Sequence, residues 1–246
     1  MRVRCVVLSA FYAMAFSAAA SIAMAGPGPP DPAKTTLQGQ YIAVEGSTNG
    51  MPDNCVDNRC SNFNITVRDD ANNVLPGSIV MIDFSACPDI QISCDQLTET
   101  TGQTYLGGGK VSGVTNAYGQ FTFRVQGAAN ATPTTNVSTS PGTVLTVGTP
   151  SPCAQAYANG EAVLPMLVVA AYDVNGLGSP NAAVNGADAS LVGAEVVKIG
   201  LGATPHPRDD YNNSNSVTGP DASAIAKMAV QAALGTGSQN TGPFCP

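Results

Sequence analysis

The feature that most constrains the fold is a series of short, strand-like segments that begins at Leu37. Each segment is rich in β-branched or aromatic residues, and turn-forming clusters such as DDANN, NAYG and SPG separate them. The segments are QYIAVEG (40–46), FNITVRD (63–69), SIVMIDFS (78–85), GKVSGVT (109–115), QFTFRVQ (120–126), TVLTVGT (143–149) and AVLPMLVVAA (162–171). Strands of this length and spacing predict a mainly β fold, arranged as a β-sandwich.

Alternation within the segments predicts which side chains enter the core. In QFTFRVQ, Phe121, Phe123 and Val125 alternate with polar residues, so one face of this strand is expected to be buried and the other solvated. The same period places Ile65 and Val67 inward.

The N-terminus has the pattern of a secretory signal peptide. Arg2 and Arg4 precede an apolar run, and the small-residue triplet ending at Ala25 marks a cleavage point. The run breaks into GPGPPDPAK, whereas a membrane anchor needs about 20 apolar residues. We therefore expect residues 1–25 to be removed and the protein to be secreted or displayed at the cell surface. Residues 26–36, rich in Pro and Gly, are predicted to form an extended leader.

The charge balance limits the class of partner. The formal net charge is -7, with 10 basic against 17 acidic residues. Such a chain cannot neutralise a phosphate backbone or an anionic lipid surface, so we expect no nucleic-acid partner and no membrane insertion. Divalent cations are the partners that an acidic chain attracts.

Six cysteines remain after the predicted signal peptide, which contains Cys5. In an oxidising compartment an even number predicts three disulfides. Cys87 and Cys94 enclose a short loop and are predicted to pair. The other four allow three connectivities, which the sequence leaves open; they are Cys55, Cys60, Cys153 and Cys245. Zinc is disfavoured, because His206 is the only histidine and no pair of CxxC units exists.

An internal repeat begins near Tyr172. The segment AYDVNGLGSPNAAVNGADASLVGAEVVKIG (171–200) is echoed by DDYNNSNSVTGPDASAIAKMAVQAALG (209–235). In each copy a polar loop ends in DAS and leads into an apolar stretch with helical spacing. In the first copy an apolar face is mixed with a charged one, formed by Leu191, Val192, Ala194, Glu195 and Val196. In the second copy the residues at helical spacing are Ile225, Met228, Ala229 and Ala232. This repeated loop-and-helix pattern predicts a helix pair over 172–246 that follows a sandwich over 37–171.

The second loop has the spacing of a calcium-binding loop. Positions one, three, five, nine and twelve are Asp210, Asn212, Ser214, Thr218 and Asp221. A loop that curls around a hard cation presents oxygen ligands at these positions, together with the backbone carbonyl at position seven, here Ser216. The second loop is therefore predicted to bind Ca²⁺.

The first loop matches this spacing less well. Asp173 and Asn175 fit its start, and Asn185 and Asp188 fit its end, but four extra residues lie between them. We predict a weaker site here, or none. The alternative for both loops is structural, with Asp188 and Asp221 acting as helix N-caps.

Features expected of an enzyme are absent from the sequence. His206 lies between prolines with no nucleophile motif nearby, and GGGK at 107–110 lacks the spacing of a phosphate loop. The scattered Asp83, Asp89 and Asp95 would need an aromatic-rich cleft to act as a glycosidase, yet the chain has no tryptophan. We predict no catalytic activity.

Two resemblances follow from these motifs. Residues 60–170 resemble the immunoglobulin-like (Ig-like) repeats of bacterial invasin-type surface proteins. The shared positions are Val67, Asp69, Asn73, Pro76, Gly77, Val80, Thr115, Asn116 and Gly119. The resemblance implies an Ig-like sandwich and leaves the ligand open, because such domains act as spacers, adhesins and enzyme accessories.

The repeat pair over 172–246 is similar to dockerins, which end their calcium loops with Asp at position twelve. This resemblance implies Ca²⁺ binding and docking to a cohesin-like or other extracellular protein. Loop positions ten and eleven, which contact cohesin in that family, are Gly186 and Ala187, then Gly219 and Pro220. These small side chains favour docking onto the sandwich itself or self-association. The alternatives are a filament or surface-layer subunit that donates segment 26–46 to a neighbour, and an accessory protein of polysaccharide degradation.

Overall fold

A computed structural model describes residues 28–44, 55–56, 59–60, 62–87, 90–94, 102–129, 152–174, 184–202, 211, 216–234 and 244. The strands within these ranges are β1 (Thr36–Leu37), β2 (Tyr41–Val44), β3 (Cys55–Val56), β4 (Arg59–Cys60), β5 (Asn62–Thr66), β6 (Ile79–Asp83), β7 (Ile90–Ile92), β8 (Thr104–Gly107), β9 (Lys110–Val114), β10 (Gln120–Arg124), β11 (Gly127–Ala129), β12 (Ala154–Ala158) and β13 (Glu161–Ala171). The helices are α1 (Gly186–Gly200) and α2 (Gly219–Ala233).

The prediction of a mainly β chain with a helical C-terminal part is confirmed. Six of the seven predicted segments overlap described strands; TVLTVGT lies outside the described residues. The largest sheet has the order β3-β4-β2-β13-β12-β6-β9-β8, and a three-stranded sheet has the order β1-β5-β10. A two-stranded sheet pairs β11 with β7. The sheets curl into a half-barrel, so the Ig-like arrangement of the sandwich stays a proposal.

The main core lies between the inner faces of these sheets. The predicted inward residues Phe123, Val125, Ile65 and Val67 are fully buried, and Phe121 is almost so. A Cβ atom at Gly113 would overlap the Phe121 ring, so glycine is required where β9 passes beneath β10.

A second core connects the helices to the largest sheet. Ala43 in β2 and Ala170 in β13 point away from the main core and pack in one cluster with Val192, Ile225 and Met228 of the two helices. In both strands the neighbouring residues face the main core instead. The sheet is therefore buried on both faces at β2 and β13, and small alanine side chains provide the room for helices on the outer face.

The N-terminal segment predicted as an extended leader lies against the sheets from residue 28 onward. Pro30 forms a bridge with Asp69, and Thr35 is buried. Thr36 and Leu37 pair with β5 in antiparallel register. Backbone hydrogen bonds, which a Pro-rich composition does not reveal, tie this segment to its own chain.

The predicted Cys87–Cys94 disulfide is wrong. Cys87 instead bonds to Cys153, with an S–S distance of 1.98 Å. The residues between Cys87 and Cys94 include β7, and three extended residues already span about 10 Å, more than the Cα separation that a disulfide accepts. Cys153 reaches Cys87 because β12 pairs with β6, whose last residues lead into Cys87.

Candidate metal centre

Asp188 closes the first loop at the base of α1. Its carboxylate accepts hydrogen bonds from the backbone N–H of Val174 at 2.9 Å and from that of Asn185 at 2.8 Å. Asn185 is the N-cap of α1, and its side chain accepts from the N–H of Ala187 at 2.7 Å. Asp188 is thus the N3 residue of a capping box whose N-cap is Asn185. Its carboxylate joins the start of the loop, at Val174, to the start of the helix.

Asp221 closes the second loop in the same way. One carboxylate oxygen accepts from the backbone N–H of Tyr211 at 2.8 Å. The other accepts from the N–H of Thr218 at 2.8 Å and from its hydroxyl at 3.0 Å. The two repeats therefore share one geometry, and the four extra residues of the first loop do not change its closure. Neither aspartate is the N-cap itself, since Asn185 and Thr218 precede the helices.

The loop carboxylates are as deeply buried as core side chains. Asp173, Asp188 and Asp221 are each fully shielded from solvent. Charged carboxylates are seldom buried without hydrogen bonds or a cation to offset the lost hydration. Here the backbone N–H groups of the loops provide part of that offset for Asp188 and Asp221.

The predicted ligands fall into two groups. Asp173, Asn185, Asp188, Ser216, Thr218 and Asp221 lie within the described ranges, whereas Asn175, Asp210, Asn212 and Ser214 lie outside them. The structure brings the end of each loop next to its start, through the Val174–Asp188 and Tyr211–Asp221 contacts. Within the described part of the chain, no group of three or more His, Cys, Asp or Glu side chains converges in a metal-binding arrangement.

Two tyrosines connect the loops to the sheet, and the sequence pattern did not single them out. Tyr172, directly after β13, and Tyr211, in the second loop, are fully buried, and their rings stack with centroids 5.5 Å apart. The Tyr211 hydroxyl donates a hydrogen bond to the backbone carbonyl of Ala171. The sequence offered one signal for these tyrosines: Tyr172 precedes the predicted ligand Asp173, and Tyr211 follows the predicted ligand Asp210.

Large apolar side chains are exposed on both helices and directly after them. Exposed residues recur at equivalent places in the two repeats, with Val197 matching Val230 and Leu201 matching Leu234. Leu201 is 84% exposed and Leu234 is 72% exposed. Large exposed apolar residues that cluster on one element mark interaction surfaces more often than random exposure does. We call Val197, Leu201, Val230 and Leu234 the outer apolar set.

No protein-family model, no curated protein and no solved structure matches this chain. Among the described helices, none is both long enough and apolar enough to cross a membrane.

Proposed function

We propose that this is a secreted or cell-surface calcium-binding protein without catalytic activity. In this proposal an Ig-like sandwich carries a dockerin-like helix pair, and the helix pair mediates docking or assembly with an extracellular protein. The observation that carries the proposal is the repeated geometry of Asp188 and Asp221. Each is a fully buried carboxylate at the last position of a polar loop, and its hydrogen bonds join the loop start to a helix start.

A purely structural role for the aspartates predicts a different response to metal. A capping carboxylate stabilises the helix to the same extent with or without calcium, typically by about 1 kcal/mol. A ligand stabilises the fold only when the ion is present, because the ion binds the folded state preferentially. The increment that calcium adds to stability therefore separates the two roles, whatever the absolute stability of a variant.

Terbium provides a direct test of the loops. Tb³⁺ accepts the same oxygen ligands as Ca²⁺, and the buried Tyr172 and Tyr211 lie beside the loops as sensitisers. We expect terbium luminescence that calcium displaces in the wild type and that is lost from the second loop in Asp221→Asn. Asp83→Asn is the control, since Asp83 is a carboxylate on β6 paired with Lys110 at 3.6 Å. Equal luminescence in all three proteins would contradict the calcium assignment.

The docking part of the proposal is supported by the outer apolar set. The inner helix faces are already packed on β2 and β13, so only the outer faces are available to a partner. We expect wild-type protein in calcium either to bind a purified cohesin module or to self-associate in sedimentation velocity. Val197→Glu combined with Val230→Glu should weaken that contact roughly tenfold or more. Ile79→Glu, an exposed site on β6, is the matched control.

The two other functions considered have less support. A filament subunit that donates segment 26–46 to a neighbour needs that segment to be available. Its described part, residues 28–44, pairs with β5 and β13 of the same chain. No contact among the described residues favours a role in polysaccharide degradation.

The docking experiment has an outcome that would contradict it. Wild-type protein that stays monomeric in calcium and does not bind the cohesin module would contradict docking, and the terbium result would still stand.

A further inference from the structure

The connectivity of the remaining cysteines has a consequence for how the helix pair is held. Cys94 is disulfide-bonded, and its partner is not Cys87, which is bonded to Cys153. If Cys5 leaves with the signal peptide, three candidates remain: Cys55, Cys60 and Cys245. The backbone geometry of the described residues distinguishes among them.

Cys55 and Cys60 are already opposite each other. They are direct register partners in the antiparallel pair of β3 and β4. Residues directly opposite on antiparallel strands have Cα atoms about 4.5–5.5 Å apart, within the range that a disulfide accepts. Pairing of Cys55 with Cys60 would therefore need little backbone movement, and it would leave Cys245 for Cys94.

The C-terminal tail returns to the strand that precedes Cys94. Phe244 forms an antiparallel bridge with Ser93, directly after β7. Cys94 follows Ser93 in the sequence and Cys245 follows Phe244, so the two cysteines are diagonal neighbours across the bridge. Diagonal neighbours in a regular antiparallel pair lie about 7–8 Å apart, and the bend at Cys94 supplies the small backbone movement that a disulfide then needs. The bridge brings together the two chain segments that carry the last unassigned pair.

We infer that Cys94 bonds to Cys245 and that this bond fastens the helix pair to the sheets at its C-terminal end. The helix pair already continues from β13 at its N-terminal end, so the bond makes it a loop closed at both ends. Formation of the bond releases two protons and two electrons from the two thiols to an external disulfide oxidant, which is reduced to two thiols. A cross-link over so long a segment restricts the unfolded chain strongly.

Peptide mapping under non-reducing conditions tests the connectivity. Trypsin cleaves after Arg59, between Cys55 and Cys60, so the inferred pairing links peptide 35–59 to peptide 60–68. Peptide 228–246 should be linked to peptide 69–110, which contains Cys87 and Cys94. Cleavage before Asp89 then separates these two cysteines and should leave 228–246 on the Cys94 side. A link from 228–246 to 35–59 or to 60–68 would overturn the inference.

A pair of variants tests the consequence for the helices. Cys245→Ser should expose one reactive thiol, at Cys94, and hydrogen exchange in α1 and α2 should become at least about tenfold faster, because loss of a native disulfide is rarely smaller in effect. The double variant Cys55→Ser and Cys60→Ser removes a disulfide without touching the tail, and helix exchange should stay within about twofold of the wild type. Equal exchange in the two variants would overturn the fastening role, whatever the connectivity. Both readouts compare the proteins at one fixed calcium concentration, so neither outcome decides whether calcium binds, and failure of this inference is distinguishable from failure of the proposed function.

Discussion

At the scale of single residues, Asp69 shows how a turn depends on one ionised side chain. It is buried in the turn between Arg68 and Val74, where the side-chain amide of Asn73 donates to it at 3.1 Å and the Asn73 backbone N–H at 2.7 Å. The pKa of Asp69 is lowered from its ordinary value of 3.8, mainly by the hydrogen bond from the Asn73 side chain. Burial acts in the opposite direction and raises the pKa, but it is the smaller effect.

This lowered pKa predicts a loss of stability in acid. Well above its ordinary pKa of 3.8 the carboxylate is ionised in both the folded and the unfolded chain, and its stabilisation is complete. The contribution disappears as the pH falls through the folded-state pKa. We therefore expect urea midpoints measured from pH 6 to pH 2 to fall less steeply in Asp69→Asn, which cannot titrate, than in the wild type. Asp70→Asn, at an exposed neighbour, should follow the wild-type curve; identical slopes in all three would contradict the assignment.

At the scale of elements, local pattern predicted much of the structure. Period-two alternation identified the buried face of β10, and the DAS repeat identified α1 and α2, because both signals depend on neighbours in sequence. The partner of Cys87 could not be predicted in this way. It depends on the pairing of β12 with β6, a contact between residues far apart in the chain.

Tyr211 anchors the second loop to the end of β13, through its hydrogen bond to Ala171 and its ring stack on Tyr172. Substitutions of Tyr211 test how much this anchor stabilises the fold. Tyr211→Phe keeps the ring stack on Tyr172 but leaves the Ala171 carbonyl without its hydroxyl donor, which should cost about 1 kcal/mol of unfolding free energy. Tyr211→Ala also removes the buried ring and should cost about 3–5 kcal/mol. Both values are accessible from denaturant unfolding.

Tyr118 provides matched controls for these two changes. Its side chain is exposed on the turn before β10. Tyr118→Phe and Tyr118→Ala should therefore leave the unfolding free energy within about 0.5 kcal/mol of the wild type. A Tyr211→Ala effect no larger than that of Tyr118→Ala would contradict the anchoring role.

At the scale of the whole molecule, the helix pair is not an appendage. The sequence predicted a domain boundary at residue 172 and favoured docking of the helix pair onto the sandwich, and Ala43 and Ala170 of the sheet share a buried cluster with both helices. The alanines of β2 and β13 were compatible with helices packing on this face of the sheet. They did not predict that packing, because alanine is also common on solvated faces. Which surface covers a small-residue face is decided by tertiary packing.

Under the proposed function, the shared cluster would couple calcium binding to the stability of the whole fold. The ion would hold the loops that place α1 and α2 on the sheet, so helix and sheet should respond to it together. If the helix pair were instead an independent unit, calcium would order the helices alone and leave the sheet unchanged, because so small a unit depends on the metal to fold.

The most direct test of the calcium assignment is thermal unfolding in calcium and in excess chelator, followed by hydrogen exchange in α1, α2, β2 and β13. Calcium at about 100 times its dissociation constant should add roughly 2.7 kcal/mol to the free energy of unfolding and protect helix and sheet amides alike. In Asp188→Asn combined with Asp221→Asn this increment should vanish. Identical unfolding curves and exchange rates in calcium and in chelator would contradict the account.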